Sequence, residues 1–170
     1  PILKKEKPDI VLVQGDTTSA FVGALASYYM KIKVGHIEAG LRSNNKYSPF
    51  PEEINRVMAD HISDYYFAPT EEAEKNLNKE VNYDNNFNVG NTVIDALIIT
   101  LDIIKKNSQL ENEIRNKIPI NDPNSKIILV TGHRRESFGE PFKEICLAIK
   151  EMGDIFEDIE IIYPVHPNPN

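Results

Sequence analysis

The sequence predicts an α/β protein of doubly wound parallel sheets, and three observations carry that prediction. Short strands of near-continuous apolar character alternate with helices, the pattern of parallel sheets covered on both faces. The alternation runs the length of the chain with no internal repeat and no low-complexity tract. A polar stretch over residues 107–125, with Pro119 and Pro123 in it, interrupts it once. That break divides the chain into two open sheets and argues against a closed barrel.

Taken in order, Ile10-Val11-Leu12-Val13 is a β-branched run that stops at Gly15-Asp16, and Thr17-Thr18-Ser19 supply a helix start for residues 20–29. Val34-Gly35-His36-Ile37 reads as a second buried strand, followed by a long irregular segment over residues 39–50. Pro51-Glu52-Glu53 opens the next helix, because a missing N–H costs nothing there and carboxylates favour the positive helix end. Strands are predicted over 64–68 and 87–89, with a helix between them from Pro69-Thr70-Glu71-Glu72 to Lys79. Val93, Leu97, Ile98, Leu101 and Ile104 recur at helical spacing over 92–106. Lys126-Ile127-Ile128-Leu129-Val130 restarts the pattern, residues 142–152 form a helix, and a strand over 159–163 ends at Pro164. The domains so implied are 1–106, a linker over 107–125, and the start of a second domain over 126–170.

A chain of 170 residues, 41% of them hydrophobic, can build a core. Acidic residues outnumber basic ones 26 to 19, a net charge of -7, so no global field draws nucleic acid or an anionic membrane. Any phosphate must be held by a local basic cluster. Cys146 stands alone, which excludes a disulfide framework and a cysteine metal site and fits a reducing, cytoplasmic compartment. No apolar stretch approaches the roughly 20 residues of a membrane helix. The chain begins at Pro1 and is expected to be part of something longer.

In open parallel sheets, ligands bind outside the carboxyl ends of the strands. Those ends carry Gln14-Gly15-Asp16-Thr17, His36-Ile37-Glu38-Ala39-Gly40-Leu41-Arg42, Thr131-Gly132-His133-Arg134-Arg135-Glu136 and His166-Pro167-Asn168-Pro169. Asp16 reads either as the cap of the following helix or as a functional carboxylate. Glu38, directly after a buried strand, costs stability unless it meets a partner, and a structural pair with Arg42 is the plain alternative to chemistry. Glu52 and Glu53 suit a helix dipole, and Arg56 an ordinary helix-surface ion pair. The long loop before them gives the segment its functional interest. His133-Arg134-Arg135 follows a strand and precedes a helix, where backbone N–H groups, guanidiniums and an imidazole can converge on an anion; a surface basic patch is the alternative. A turn held by prolines accounts for Asn168 without a ligand, and His61 is assigned to helix packing. Dinucleotide fingerprint, P-loop, nucleophile elbow and helical zinc-binding His pair are all missing.

Taken together with Pro51-Glu52-Glu53-Ile54-Asn55-Arg56, Gly90-Asn91-Thr92-Val93-Ile94-Asp95 and Pro164-Val165-His166-Pro167-Asn168-Pro169, these segments resemble the non-hydrolysing UDP-N-acetylglucosamine 2-epimerase family over essentially the whole chain. The resemblance implies a GT-B-like architecture of two facing Rossmann-like halves, both incomplete here, a homodimer when full length, and no redox cofactor or metal. It implies interconversion of UDP-N-acetylglucosamine and UDP-N-acetylmannosamine for surface polysaccharides, by elimination of UDP to 2-acetamidoglucal and readdition. By motif position, Asp16 and Glu38 become sugar-side acid/base and charge-stabilising carboxylates, with Glu52 a third. His133 and Arg134 become contacts of the departing diphosphate, and Arg42, Arg56, Glu136, His166 and Asn168 further substrate-binding residues. Glu52, Arg134 and His166 also match positions of an activating second substrate site in some bacterial members. Segments that hold UDP in the family are expected outside this chain, so the piece alone should bind UDP weakly and turn over negligibly. A hydrolysing epimerase releasing free N-acetylmannosamine, a glycosyltransferase on the same architecture and a non-catalytic sugar-nucleotide binder are the competing expectations.

Overall fold

A computed structural model of the chain describes residues 1–81, 84–120, 122, 124–132 and 139–165. It divides into two compact units, Pro1–Leu101 and Asp102–Asn170. The first holds α1 (Ile2–Glu6), β1 (Ile10–Gln14), α2 (Thr18–Tyr29), β2 (Lys33–Ile37), α3 (Glu52–Ile62), β3 (Tyr65–Ala68), α4 (Glu71–Glu80), β4 (Asn86–Asn88) and most of α5 (Thr92–Lys106). The sheet order is β1-β2-β3-β4, every pair parallel. All four carboxyl ends therefore meet at one edge.

Because consecutive strands are neighbours, right-handed crossovers set α2, α3 and α4 on one face. The side chains bear this out. Val13 and Val34 pack with Ala20 and Ala24 of α2, while Tyr66 and Ala68 pack with Ala73 and Leu77 of α4. On the other face Leu12 and Phe87 stay exposed, and the Phe67 and Phe87 rings stack with centroids 6.0 Å apart. β1 thus alternates between accessible and covered positions, where the sequence suggested a strand buried on both sides.

Local chemistry explains where the helices begin. Thr17 and Thr70 accept the Ala20 and Ala73 amides at 3.2 Å through their side-chain oxygens, caps each worth about 1 kcal/mol. Glycine is required at Gly40, where φ is +82° and a Cβ would run into the Ala73 carbonyl of α4 and lie 2.8 Å from Leu77 Cγ. The turn after β2 can lie this close to α4 only because that residue has no side chain.

The second unit contains α6 (Ser108–Arg115), β5 (Lys126–Leu129), α7 (Glu140–Ile155) and β6 (Ile159–Ile162). β5 and β6 pair in parallel from Lys126↔Ile159 to Leu129↔Ile162. The Tyr163 hydroxyl donates to the Gly132 carbonyl and so anchors the chain just past β5. The polar stretch 107–125 carries α6, capped by Asn107 onto the Leu110 amide at 3.0 Å. The five-residue α1 and this helix are the two elements that the hydrophobic pattern did not announce.

Candidate active site

Parallel pairing brings the turn after β1 against the turn after β2. Gly15 enters the left-handed region at φ +70°, and its amide donates to the Ile37 carbonyl at 2.9 Å. Asp16 follows. Its carboxylate is not the helix cap, since Thr17 fills that place. Instead Asp16 Oδ2 lies 3.0 Å from Arg56 Nη2, and its backbone carbonyl accepts Asn55 Nδ2 at 3.0 Å. Two consecutive residues of α3 thereby fix both ends of this residue.

Glu38 also has a positive φ, +68°, uncommon for a residue with a side chain and a form of strain that concentrates at functional positions. Its amide and that of Ala39 both donate to the Phe67 carbonyl, at 3.0 and 3.2 Å. Its Oε2 lies 3.4 Å from where a Cβ on Gly15 would sit. The Glu38 carboxylate therefore rests on the turn that presents Asp16, so the two turns carrying the expected carboxylates lie against each other.

The structural pair of Glu38 with Arg42 is not formed. Arg42 Nη2 lies 2.7 Å from both Asp60 Oδ2 and Glu80 Oε2, its Nε donates to Glu80 and its Nη1 to the Leu41 carbonyl. Only 3% of the side chain is accessible. Burial opposes its charge, but Glu80 and Asp60 overcome that and raise its pKa above the ordinary value. Expected at the substrate, Arg42 is here a brace between the β2 turn, α3 and α4. Arg56, also expected at the substrate, faces Asp16 and, at 3.5 Å from Nε, Glu53 Oε2, an ion contact without hydrogen-bond geometry.

Glu52, half-buried, and Glu53, 3% exposed, both stand in the first turn of α3. Glu53 is no mere dipole partner. Its carboxylate accepts the Ser43 and Asn44 amides, each at 3.0 Å, and clamps the start of the long loop. His61 is exposed, with Nδ1 2.9 Å from the Val57 carbonyl, and does not pack into the helix interface. His133, Arg134, Glu136, His166 and Asn168 lie outside the described residues.

Sequence reasoning missed His36 and Asp60, both without accessible surface. His36 Nδ1 lies 2.5 Å from Asp60 Oδ1, and its Nε2 lies 2.8 Å from the Gly15 carbonyl oxygen. The available signal was spacing: Glu53, Arg56 and Asp60 stand at i, i+3 and i+7 on α3, one helical face, and that face turns inward. A cavity of about 420 Å³ opens at the opposite edge of the sheet, between Tyr28, Lys33, His61, Asp64 and Asn85. Asp16 and Glu38 do not border it, and the chemistry is read from their turns.

The family model for UDP-N-acetylglucosamine 2-epimerase matches residues 1–170. The chain belongs to that family. The 2-epimerase of Escherichia coli K12 is 50% identical over all of this chain and 46% of its own length, and that of Bacillus subtilis 48% identical over 99% and 42%. The chain thus spans about half the length of these epimerases. Among solved structures, the Neisseria meningitidis UDP-GlcNAc 2-epimerase bound to UDP-GlcNAc superimposes with a TM-score of 0.92, at 45% identity, over 99% of this chain and 45% of that one. The Methanocaldococcus jannaschii enzyme in complex with UDP-GlcNAc and UDP gives 0.81, at 43% identity, over 98% and 44%. This epimerase-family chain shares their GT-B-like α/β architecture of parallel sheets.

Proposed function

We propose that the whole protein interconverts UDP-N-acetylglucosamine and UDP-N-acetylmannosamine without hydrolysis. The observation that carries this reading is the Glu38 carboxylate resting on the Gly15–Asp16 turn at the carboxyl edge of the sheet. The ligands of the Neisseria and Methanocaldococcus relatives support the substrate.

The chemistry asks for such a pair. The hydrogen at sugar C2 is not next to a carbonyl, so direct removal and return is prohibitively hard. On this reading a carboxylate takes the C2 proton as the C1–oxygen bond breaks anti to it, giving 2-acetamidoglucal and UDP. UDP then adds back to C1, and a proton is delivered to C2 from the other face. Positive charge builds near C1 in the transition state, where preformed carboxylates stabilise it. Asp16 and Glu38 supply that charge and the proton transfers, with Glu52 as a third member; His133 and Arg134 meet the diphosphate. Arg56 serves the reaction by holding Asp16. The protein acts in the cytoplasm as a homodimer and supplies surface polysaccharide precursors, and the 170-residue chain by itself turns over negligibly.

The test is a product assay in heavy water with the full-length protein. Deuterium at C2 of both UDP-sugars is expected. Free N-acetylmannosamine accumulating with UDP would replace this reading with the hydrolysing one, and epimerisation without exchange would end the elimination mechanism. A rate for the isolated chain near that of the full-length protein would overturn the proposal that the piece is insufficient.

A further inference from the structure

His36 sits in mid-sheet, in register between Val13 of β1 and Tyr66 of β3, among side chains that leave it no accessible surface. An ionised ring in such a row is costly unless both of its ends are met. Both are. The Gly15 carbonyl can only accept, so Nε2 carries a proton. Asp60 receives the Arg42 guanidinium and the Gly40 amide on its other oxygen, at 2.7 and 3.2 Å, as an ionised carboxylate does. Nδ1 therefore carries the second proton, and the ring is an imidazolium. Burial pulls its pKa down, but the Asp60 hydrogen bond and charge, with the Gly15 carbonyl, outweigh that and the repulsion of Arg42 and raise it.

Each end of this ion pair holds one of the two turns that carry the carboxylates. His36 fixes the carbonyl of Gly15, directly before Asp16. Asp60 fixes the amide of Gly40, two residues after Glu38. We propose that His36 and Asp60 are positioning residues of the reaction, a linked bridge from Gly15 to Gly40 that sets the separation of Asp16 and Glu38 without touching substrate. This rests on reading Asp16 and Glu38 as the sugar-side carboxylates. The charged groups acting on the ring are Asp60 from α3 and Arg42 from the β2 turn, with Tyr66 beside it in register on β3; α2 brings no charged side chain.

The experiment compares full-length His36→Gln and Asp60→Asn proteins with Asp16→Asn and Glu38→Gln, by C2 exchange, UDP affinity and pH profile. In His36→Gln the amide can still donate to Gly15, but the charge facing Asp60 is gone. Turnover is expected to fall about 10- to 100-fold with KM and UDP affinity within about threefold, because a small misplacement of reacting groups acts on the transition state. Wild-type turnover should also decline as pH rises through the His36 pKa, and that limb should flatten in His36→Gln. Should His36→Gln not fold, Asp60→Asn carries the same kinetic test. Turnover and pH profile unchanged in the variants, or turnover lost only in proportion to UDP binding, would overturn the positioning role. If Asp16→Asn and Glu38→Gln themselves keep full exchange, the carboxylate reading fails first.

Discussion

Arg56 reaches from α3 to the turn after β1 and holds Asp16, Nη2 to Oδ2, at 3.0 Å. The contact joins a largely buried cation to a carboxylate that keeps 31% of its side chain accessible. Arg56→Met leaves that carboxylate and the buried Glu53 without their cation. A loss of about 3 kcal/mol in urea unfolding is expected, at the lower end for breaking a buried pair because Asp16 is partly solvated. C2 exchange should fall in the full-length variant by more than UDP affinity does. An unchanged midpoint would show that the contact is not a support.

Glu53 accepts two backbone amides at the start of the long loop. A glutamine there keeps one acceptor oxygen and places an amide donor against a donor. Glu53→Gln should cost about 1–3 kcal/mol, the range for leaving a buried donor unmet. Hydrogen exchange at Ser43 and Asn44 should quicken while that of α2 and β1 stays near its original rate. Equal quickening everywhere would mean that only global stability had changed.

The raised pKa of His36 fixes the sign of a pH effect. The folded state keeps a proton that the unfolded chain releases near 6.5, so the stabilisation is fully present below that value and lost as pH rises through the folded pKa. Between the two, unfolding free energy should decline by about 1.4 kcal/mol per pH unit from this group. His36→Gln should remove that slope. Urea unfolding of both proteins across this window, with the ring titration followed by NMR, checks it.

Gly40 combines φ +82° with the approach of α4. Gly40→Ala brings both backbone strain and overpacking against Ala73, together about 2–4 kcal/mol. The same substitution at Gly90, φ +78° with open space around it, should bring the strain alone and cost less. Thermal unfolding of the two variants, compared directly, decides whether the close approach of α4 matters.

The alternation of strands and helices was legible because apolar runs and caps are local. The carboxyl-edge rule pointed to the turns that hold Asp16 and Glu38, and the family resemblance gave those two carboxylates their expected roles. What the sequence could not give is which way a helix turns. α3 has Ile54 and Met58 outward and Glu53, Arg56 and Asp60 inward, opposite to what hydropathy suggests, because the buried face meets charged turns and a histidine in place of an apolar sheet. His36 was hidden for a related reason. One polar residue inside Val34-Gly35-His36-Ile37 signals nothing until the strand beside it shows a carbonyl at hydrogen-bonding distance. The ion pairs of Arg42 were not legible because its partner Glu80 is 38 residues away, at the end of a different helix.

Arg42, Asp60 and Glu80 have a consequence for how such a chain can change over generations. One cation is shared by two carboxylates from separate helices, Asp60 being fully enclosed and Glu80 a third accessible. With the His36 imidazolium counted, two cations face two carboxylates, so altering any one of these three leaves a charge in excess. These positions should drift only as a set, leaving a correlated triplet when lineages are compared. A chimera that joins the β2 turn of one relative to the α4 of another will inherit the mismatch unless all three are exchanged together.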